Sequence, residues 1–346
     1  MTSYNILITC IGGGYASQNI KLIKKSKIYK NIKIIGIDIN AGNEADFFCD
    51  FTYKVPHGSH QNYIKSVLRI VKKHQIKLII PCSDEEAVQL SSKLLYFNKI
   101  GVNVACTNYN NSVLISSKIK TYTFLNKIGV NTPLWEKANS HKSLIEGVEK
   151  LFDSKISDVI IKPSSARGSR DIVHISKDSQ NKDSFFESFS FKNFIKNKLY
   201  NINISKNKYF IISEKLNNPV FDLDFLTWKG ELIQTTFRKR IFNELPNRGH
   251  QIIVLPNPLK EALKIISKNL NLSWMYDSDW MLDADGNFKI IEINPRMSGS
   301  ISTSIIAGAN YFDNIISLSK KKKIIIKKAK INLSIVPSLL LEKINY

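Results

Sequence analysis

Arginine is scarce in this chain of 346 residues: seven of its 50 basic side chains, against 43 lysines. The formal net charge is +21, which by itself invites a nucleic-acid reading. Specific phosphate recognition, however, leans on planar Arg forks with interleaved aromatics. Here ammonium groups are spread along a sequence also heavy in Ile and Asn, so nucleic acid is not an expected partner. The run Lys320 to Lys323 reads as solvated, and anionic small substrates are still favoured electrostatically. Six of the seven arginines follow residue 160: Arg167, Arg170, Arg238, Arg240, Arg248 and Arg296. Where Lys is the default cation, such placement marks sites that need a bidentate donor.

Cysteine is limited to Cys10, Cys49, Cys82 and Cys106, without CxxC spacing. They read as reduced structural thiols of a cytoplasmic protein, none a catalytic candidate. No apolar run reaches the length of a membrane span, and the N-terminus enters a strand with no signal-peptide pattern. No internal repeat occurs, and the six histidines form no nucleophile–base constellation.

What is present centres on residues 279–296, two apolar strands around Asp283-Ala-Asp-Gly-Asn287, which reads as a β-hairpin. Pairing its strands brings Asp279, Glu292 and Asn294 together, with Glu292 and Asn294 two apart on one face. Two carboxylates and an amide oxygen make a hard donor set suited to Mg2+. Arg296, two residues on, adds a fixed cation. Asp283 and Asp285 read as solvated turn residues. Glu292 lies in a run apolar enough to half-bury it, where a carboxylate needs a partner or a metal.

Residues 4–10 read as a buried strand, followed by Gly12-Gly13-Gly14, a helix, and a second strand ending at Asp38. A helix near 61–74, a strand at 77–81, a helix capped by Ser83 and a strand at 102–106 follow. This alternation predicts a doubly wound, largely parallel sheet over residues 1–110. Gly12, Gly14 and Asp38 also admit a dinucleotide fingerprint with Asp38 on a ribose, although the third glycine is missing. A helix over 117–127 precedes the strand 158–163, the small-residue loop 164–171 and a strand over 172–176. That strand–loop–strand suits a triphosphate, with Lys162 adding charge. Residues 177–208 read as peripheral, with one helical stretch near 184–198. A strand over 209–216, a hairpin over 221–240 reversing at Trp228-Lys-Gly230, and a helix over 258–270 complete the pass.

In this order the segments resemble the ATP-grasp superfamily, in its carbamoyl-phosphate-synthase-like branch. The landmarks are the glycine-rich first turn, Ile79-Ile-Pro-Cys-Ser-Asp-Glu-Glu, Lys118-Ile-Lys-Thr-Tyr-Thr-Phe-Leu and Ile160-Ile-Lys-Pro-Ser-Ser-Ala-Arg-Gly-Ser-Arg. They continue with Ile212-Ser-Glu-Lys-Leu, Arg238-Lys-Arg and Ile291-Glu-Ile-Asn-Pro-Arg-Met-Ser-Gly-Ser. The resemblance implies a mixed α/β and α+β fold: a Rossmann-like pre-ATP-grasp domain over 1–112, a small subdomain over 113–215, and a large subdomain over 216–346 carrying the metal site. It implies ATP clamped between the two ATP-grasp subdomains, with Mg2+ (or Mn2+) as the companion ion. Lys118 and Lys162 then contact phosphates under the loop bearing Ser164, Ser165, Arg167, Gly168 and Ser169. Glu214, Lys215 and Leu216 form the adenine hinge. Asp222 is the guess for the ribose, because the Pro-Gly and acidic residue usual there are replaced. Asp279, Glu292 and Asn294 hold the metal, Asp279 standing where near relatives carry Glu or Gln. Arg296, Arg238 and Arg240 are the catalytic candidates, facing the transferred phosphate or acyl group.

The activity so implied is an ATP-dependent carboxylate–amine ligase working through an acyl phosphate on small-molecule carboxylates and amines. A homodimer is a family-level expectation. Two alternatives stay open: an enzyme of the same branch that stops at the carboxyphosphate or acyl phosphate, and a non-catalytic NAD- or ATP-binding protein. A single ATP-grasp unit is short for a complete carbamoyl phosphate synthase, which uses two.

Overall fold

The computed structural model describes residues 3–26, 28–164, 172–177, 199, 202, 209–242 and 249–338. Its first sheet is parallel and five-stranded, in the order β3-β2-β1-β4-β5. The strands are β1 (Tyr4–Thr9), β2 (Ile32–Asp38), β3 (Phe51–Lys54), β4 (Leu78–Ile80) and β5 (Asn103–Val104). Apolar runs, rather than alternation, form these strands because both faces are covered. Ile6, Ile8, Ile34, Leu78 and Ile80 enter one core cluster. Leu7, Ile35, Ile37 and Ile79 enter the other. The second cluster is closed by helix α2 (Tyr63–His74), whose Tyr63, Ile64, Val67, Ile70 and Val71 recur at helical spacing. Ser83 caps helix α3 (Asp84–Ser91) as expected, its hydroxyl accepting from Glu86 N–H at 3.4 Å.

The first cluster is shared with distant sequence. Ile20 and Ile23 of helix α1 (Ala16–Lys24) meet Met297, Ile301, Tyr311, Phe312, Ile315 and Ile316 in one core. The chain accordingly divides into two compact units: Met1–Ser116 with Pro219–Trp280 and Glu292–Tyr346, and Ser117–Asn218 with Met281–Ile291. Residues of the parallel-sheet region thus share a core with residues of 219–280 and 292–346.

The glycine-rich turn is closed from within. Asp38 Oδ2 accepts from Gly12 N–H at 2.8 Å, and Oδ1 accepts from Asn40 N–H at 2.9 Å. A Cβ at Gly12 would stand 2.8 Å from Asn43 Oδ1 and 3.1 Å from Asp38 Oδ2, so this glycine is needed for close approach. Asp38 therefore ties down the loop, and the dinucleotide reading loses its ribose ligand. Burial pushes the Cys10 and Cys49 thiols up to about 12 and raises Cys82 and Cys106 as well. None of them is primed as a nucleophile.

The second unit holds a four-stranded antiparallel sheet in the order β6-β9-β7-β8. Its strands are β6 (Trp135–Ala138), β7 (Asp158–Pro163), β8 (Val173–Ser176) and β9 (Phe210–Glu214), backed by an unforeseen helix His141–Asp153. The helical stretch expected near 184–198 lies outside the described residues. The turn Asp283–Asn287 corrects the solvated reading of Asp283. Asp283 is 9 % exposed, and its carboxylate accepts from Asp285 N–H at 3.0 Å and Asn287 N–H at 2.8 Å. Asp283 shapes the turn.

A six-stranded sheet completes the fold, in the order β14-β13-β10-β11-β12-β15. The strands are β10 (Asn217–Trp228), β11 (Glu231–Arg240), β12 (His250–Ile253), β13 (Trp274–Leu282), β14 (Phe288–Asn294) and β15 (Ser334–Ile335). The β10–β11 reversal uses Lys229 at φ 50° and Gly230 at φ 83°, the two left-handed residues of a tight hairpin.

The shared core yields a prediction. Ile315, 1 % exposed, packs in it. Ile315→Ala should destabilise the chain by about 2–5 kcal/mol. Calorimetry should show residues 3–116 unfolding together with 219–338 in one transition, and a separately surviving N-terminal fragment on proteolysis would contradict the single core.

Candidate active site

Alternation along four neighbouring strands collects the charged side chains. Asp222 and Asp224 on β10, Arg238 and Arg240 on β11, Asp277 and Asp279 on β13, and Glu292 and Asn294 on β14 are each two residues apart, so each pair shares a face. Asp222 is directly across from Arg238, and Arg240 from His250 on β12. The charged contacts link neighbouring strands rather than reaching into solvent.

Arg238 has no exposed surface. Its Nη1 donates to Ser300 O at 3.1 Å, Ser300 Oγ at 2.8 Å and Thr303 Oγ1 at 2.8 Å. Its Nη2 donates to Asp224 Oδ1 at 3.0 Å and Ser298 Oγ at 3.1 Å, while Nε lies 3.0 Å from Asp224 Oδ2. Every guanidinium nitrogen has a protein oxygen, so Arg238 is placed as an anchor of β10 and of the segment after β14.

Arg240 forks onto Asp222, with Nε 2.9 Å from Oδ2 and Nη2 2.6 Å from Oδ1. The same Nη2 donates to Asp279 Oδ2 at 2.8 Å. His250, fully buried, stands 3.1 Å from Asp222 Oδ2. Burial and the two arginines depress the His250 pKa more than Asp222 raises it, so the ring is neutral at physiological pH. For Asp222, burial pushes upward, yet the hydrogen bonds from His250 and Arg240 hold it well below the usual carboxylate range.

Arg296 bridges in the other direction. Its Nη2 donates to Asn294 Oδ1 at 3.1 Å, Nη1 donates to Met297 O at 2.9 Å, and Nε lies 3.1 Å from Asp84 Oδ1 at the start of α3. Asn294 Nδ2 donates to Asp277 Oδ2 at 3.2 Å. Asp279 and Glu292 interact electrostatically.

The set is over-supplied with negative charge. Among the described residues Asp84, Asp222, Asp224, Asp277, Asp279 and Glu292 face Arg238, Arg240 and Arg296, three more carboxylates than guanidinium groups. Burial, with the charges of Asp224 and Asp222, pushes the Asp277 carboxyl up to about 7. Burial likewise lifts Asp279 well above the usual range, with Arg240 opposing it and Asp222, Asp277 and Glu292 adding to it. Asp277 Oδ1 and Asp279 Oδ1 find no hydrogen-bond donor among the described residues. Orphaned buried carboxylate oxygens in an all-oxygen set fit a hard divalent cation such as Mg2+.

The remaining expected site residues belong to the second unit, Asp222 excepted. Lys118 opens the helix Lys118–Lys127, and its backbone N–H donates to Ser164 O at 3.1 Å. Lys162 is half-buried on β7, and Ser164 is buried at its end. Ser165, Arg167, Gly168 and Ser169 lie outside the described residues, as do Arg170 and Arg248. Glu214 Oε1 accepts from Leu134 N–H at 2.8 Å, Lys215 is exposed and Leu216 is buried. Asp222, the ribose guess, is instead 2 % exposed between Arg240 and His250. Sequence reasoning missed Asp84, Asp224, His250 and Asp277. The Asp222-x-Asp224 and Asp277-x-Asp279 doublets carried a readable signal, being spaced like Arg238-x-Arg240. His250 carried none.

The ion pair at Arg238 can be tested directly. Removing one partner of a buried pair costs about 3–5 kcal/mol, because it strands the other charge. Arg238→Met should lose that much in denaturant unfolding, and Arg238→Met with Asp224→Leu should recover most of it. A single-variant loss of only about 0.5 kcal/mol, the size of a surface change, would contradict the anchor role.

Known proteins bear on this geometry. The family described as ATP-grasp in the biosynthetic pathway with Ter operon matches residues 206–336, which span the charged face. The PylC-like N-terminal domain matches residues 6–105. No curated protein matches the chain. N5-carboxyaminoimidazole synthetase from Staphylococcus aureus is similar in fold, with a TM-score of 0.68 over 94% of this chain and 81% of that one, at 13% identity. The biotin carboxylase domain of Hydrogenobacter thermophilus 2-oxoglutarate carboxylase gives 0.69 over 96% and 74%, at 13% identity. L-amino acid ligase from Bacillus licheniformis gives 0.59 over 93% and 75%, also at 13% identity. Residues 206–336 thus carry the match to an ATP-grasp domain, and residues 6–105 the match to a PylC-like N-terminal domain.

Proposed function

We propose that this chain is an ATP-dependent carboxylate–amine ligase for small molecules. The observation that carries the reading is the buried excess of carboxylates inside the matched ATP-grasp segment, with two orphaned oxygens. Asp279, Glu292 and Asn294 are assigned to Mg2+, for which Mn2+ is the expected substitute. When bound, the cation supplies charge neutralisation for the nucleotide phosphates. Similar proteins have been crystallised with ADP and with the magnesium salt of ADP.

In this reading a substrate carboxylate oxygen attacks the γ-phosphorus of ATP and ADP leaves. The amine nitrogen then attacks the acyl carbon, phosphate leaves, and the amine loses a proton. Lys118, Lys162 and the loop from Ser164 onward are assigned to the phosphates. Glu214, Lys215 and Leu216 are assigned to the base. Arg240 steadies Asp279 through Oδ2 while Oδ1 stays open, and Arg296 orients the Asn294 amide. Both serve the developing charge by preorganisation. Arg238, with every nitrogen engaged, acts by holding β10. A cytoplasmic homodimer completes the proposal. The structure of the Hydrogenobacter thermophilus domain is described as a dimer with bicarbonate bound. Bicarbonate is therefore the second first-step substrate to compare.

Hydroxylamine trapping tests the reading. The full chain with Mg-ATP and a pool of small carboxylates should form hydroxamates together with phosphate. Glu292→Gln should lower that rate by about 100-fold or more while leaving the fold intact. Near-normal turnover of Glu292→Gln contradicts the metal assignment. ATP cleavage that depends on bicarbonate alone, without hydroxamate, favours the carboxyphosphate route.

A further inference from the structure

Asp277 is the carboxylate that the assignments above do not use. It sits two residues before Asp279 on the same face of β13, 5 % exposed. A purely structural partner for Asn294 needs one oxygen, and Oδ2 fills that role at 3.2 Å. Oδ1 is left buried without a donor among the described residues, as is Oδ1 of Asp279. Carboxylate oxygens of Asp222, Asp277 and Asp279 lie within 4.8 Å of one another. Asp222 is the member already satisfied, since both its oxygens accept from Arg240 and one also faces His250. The open donors are thus those of Asp277 and Asp279.

We propose that Asp277 is itself a ligand of a divalent cation, shared with Asp279 through their two Oδ1 atoms, and that this pair binds the ion before any nucleotide arrives. Metal–oxygen bonds of about 2.1 Å suit one small ion to carboxylate oxygens that lie within 4.8 Å of one another. A substrate ammonium is larger and fits a fully buried oxygen less well. Among the described residues six carboxylates meet three guanidinium groups here, which gives a divalent ion a favourable site without help from phosphates. The inference rests on carboxylate geometry rather than on ligase chemistry, so failure of hydroxamate formation leaves it standing.

The test uses the full, nucleotide-free chain and Mn2+. Wild type should remove Mn2+ from the free-ion spin-resonance signal and gain thermal stability with added Mn2+. Asp277→Asn should bind Mn2+ at least tenfold more weakly and lose that gain. Without metal its melting temperature should match or exceed that of wild type, because a buried repulsion has been removed. A second measurement needs no variant: Fe2+ with ascorbate and peroxide should cleave the wild-type backbone around 277–279, and excess Mg2+ should protect it. The inference is overturned by unchanged Mn2+ binding in Asp277→Asn, by absence of Mn2+ binding to wild type, or by cleavage elsewhere. Unchanged Mn2+ binding with a raised KM for an amine assigns Asp277 to substrate ammonium and also overturns it.

Discussion

One buried guanidinium organises the site. Arg238 lies inside the sheet layer and clasps Asp224 on one side and Ser298, Ser300 and Thr303 on the other. An isolated charge in that position is untenable, and a lone pair is worth little net stability. What it contributes is registration. The strand bearing Asp222 and Asp224 is held against the segment that follows Asn294 and Arg296. Everything with open chemistry stands around this closed anchor.

From the anchor outward, occupancy falls. Arg240 satisfies Asp222 fully but only one oxygen of Asp279. Arg296 ties Asn294 to Asp84 of the parallel-sheet region, within the same compact unit. Three of the seven arginines are spent here, which answers why a lysine-rich chain keeps any: planar forks can bond two carboxylates at fixed geometry. The carboxylate oxygens left without a donor among the described residues of this face are those of Asp277 and Asp279. Their shared burial keeps the repulsion strong and a small cation favourable.

Much of this was legible in the sequence for definite reasons. The parallel strands were visible because strands covered on both faces are continuous apolar runs. The β10–β11 turn was visible because Lys-Gly suits two left-handed residues. Ser83 announced its helix by capping chemistry. Other features depend on tertiary contact and leave no local trace. Ile20 gives no sign that its partners are Ile315 and Ile316, so the shared core of the first and last segments was hidden. Asp38 carried the same signal for a ribose as for a loop clamp, and only its 2.8 Å bond to Gly12 decides between them. Asp283 looked like any turn aspartate until its carboxylate was found accepting two backbone N–H groups. At the site, Glu292 and Asn294 stand out by position, whereas the neighbours of Asp277 on strand Trp274–Leu282 are set only by tertiary pairing.

We propose that the charged sheet face holds a divalent cation. Anomalous diffraction from crystals of the full chain grown with Mn2+ addresses this most directly. A Mn2+ peak about 2.2 Å from Asp279 Oδ1 is expected, with Arg238 and Asp224 still paired. A peak bound elsewhere on the chain, with Asp277 and Asp279 bridged only by protein side chains or water, would contradict it.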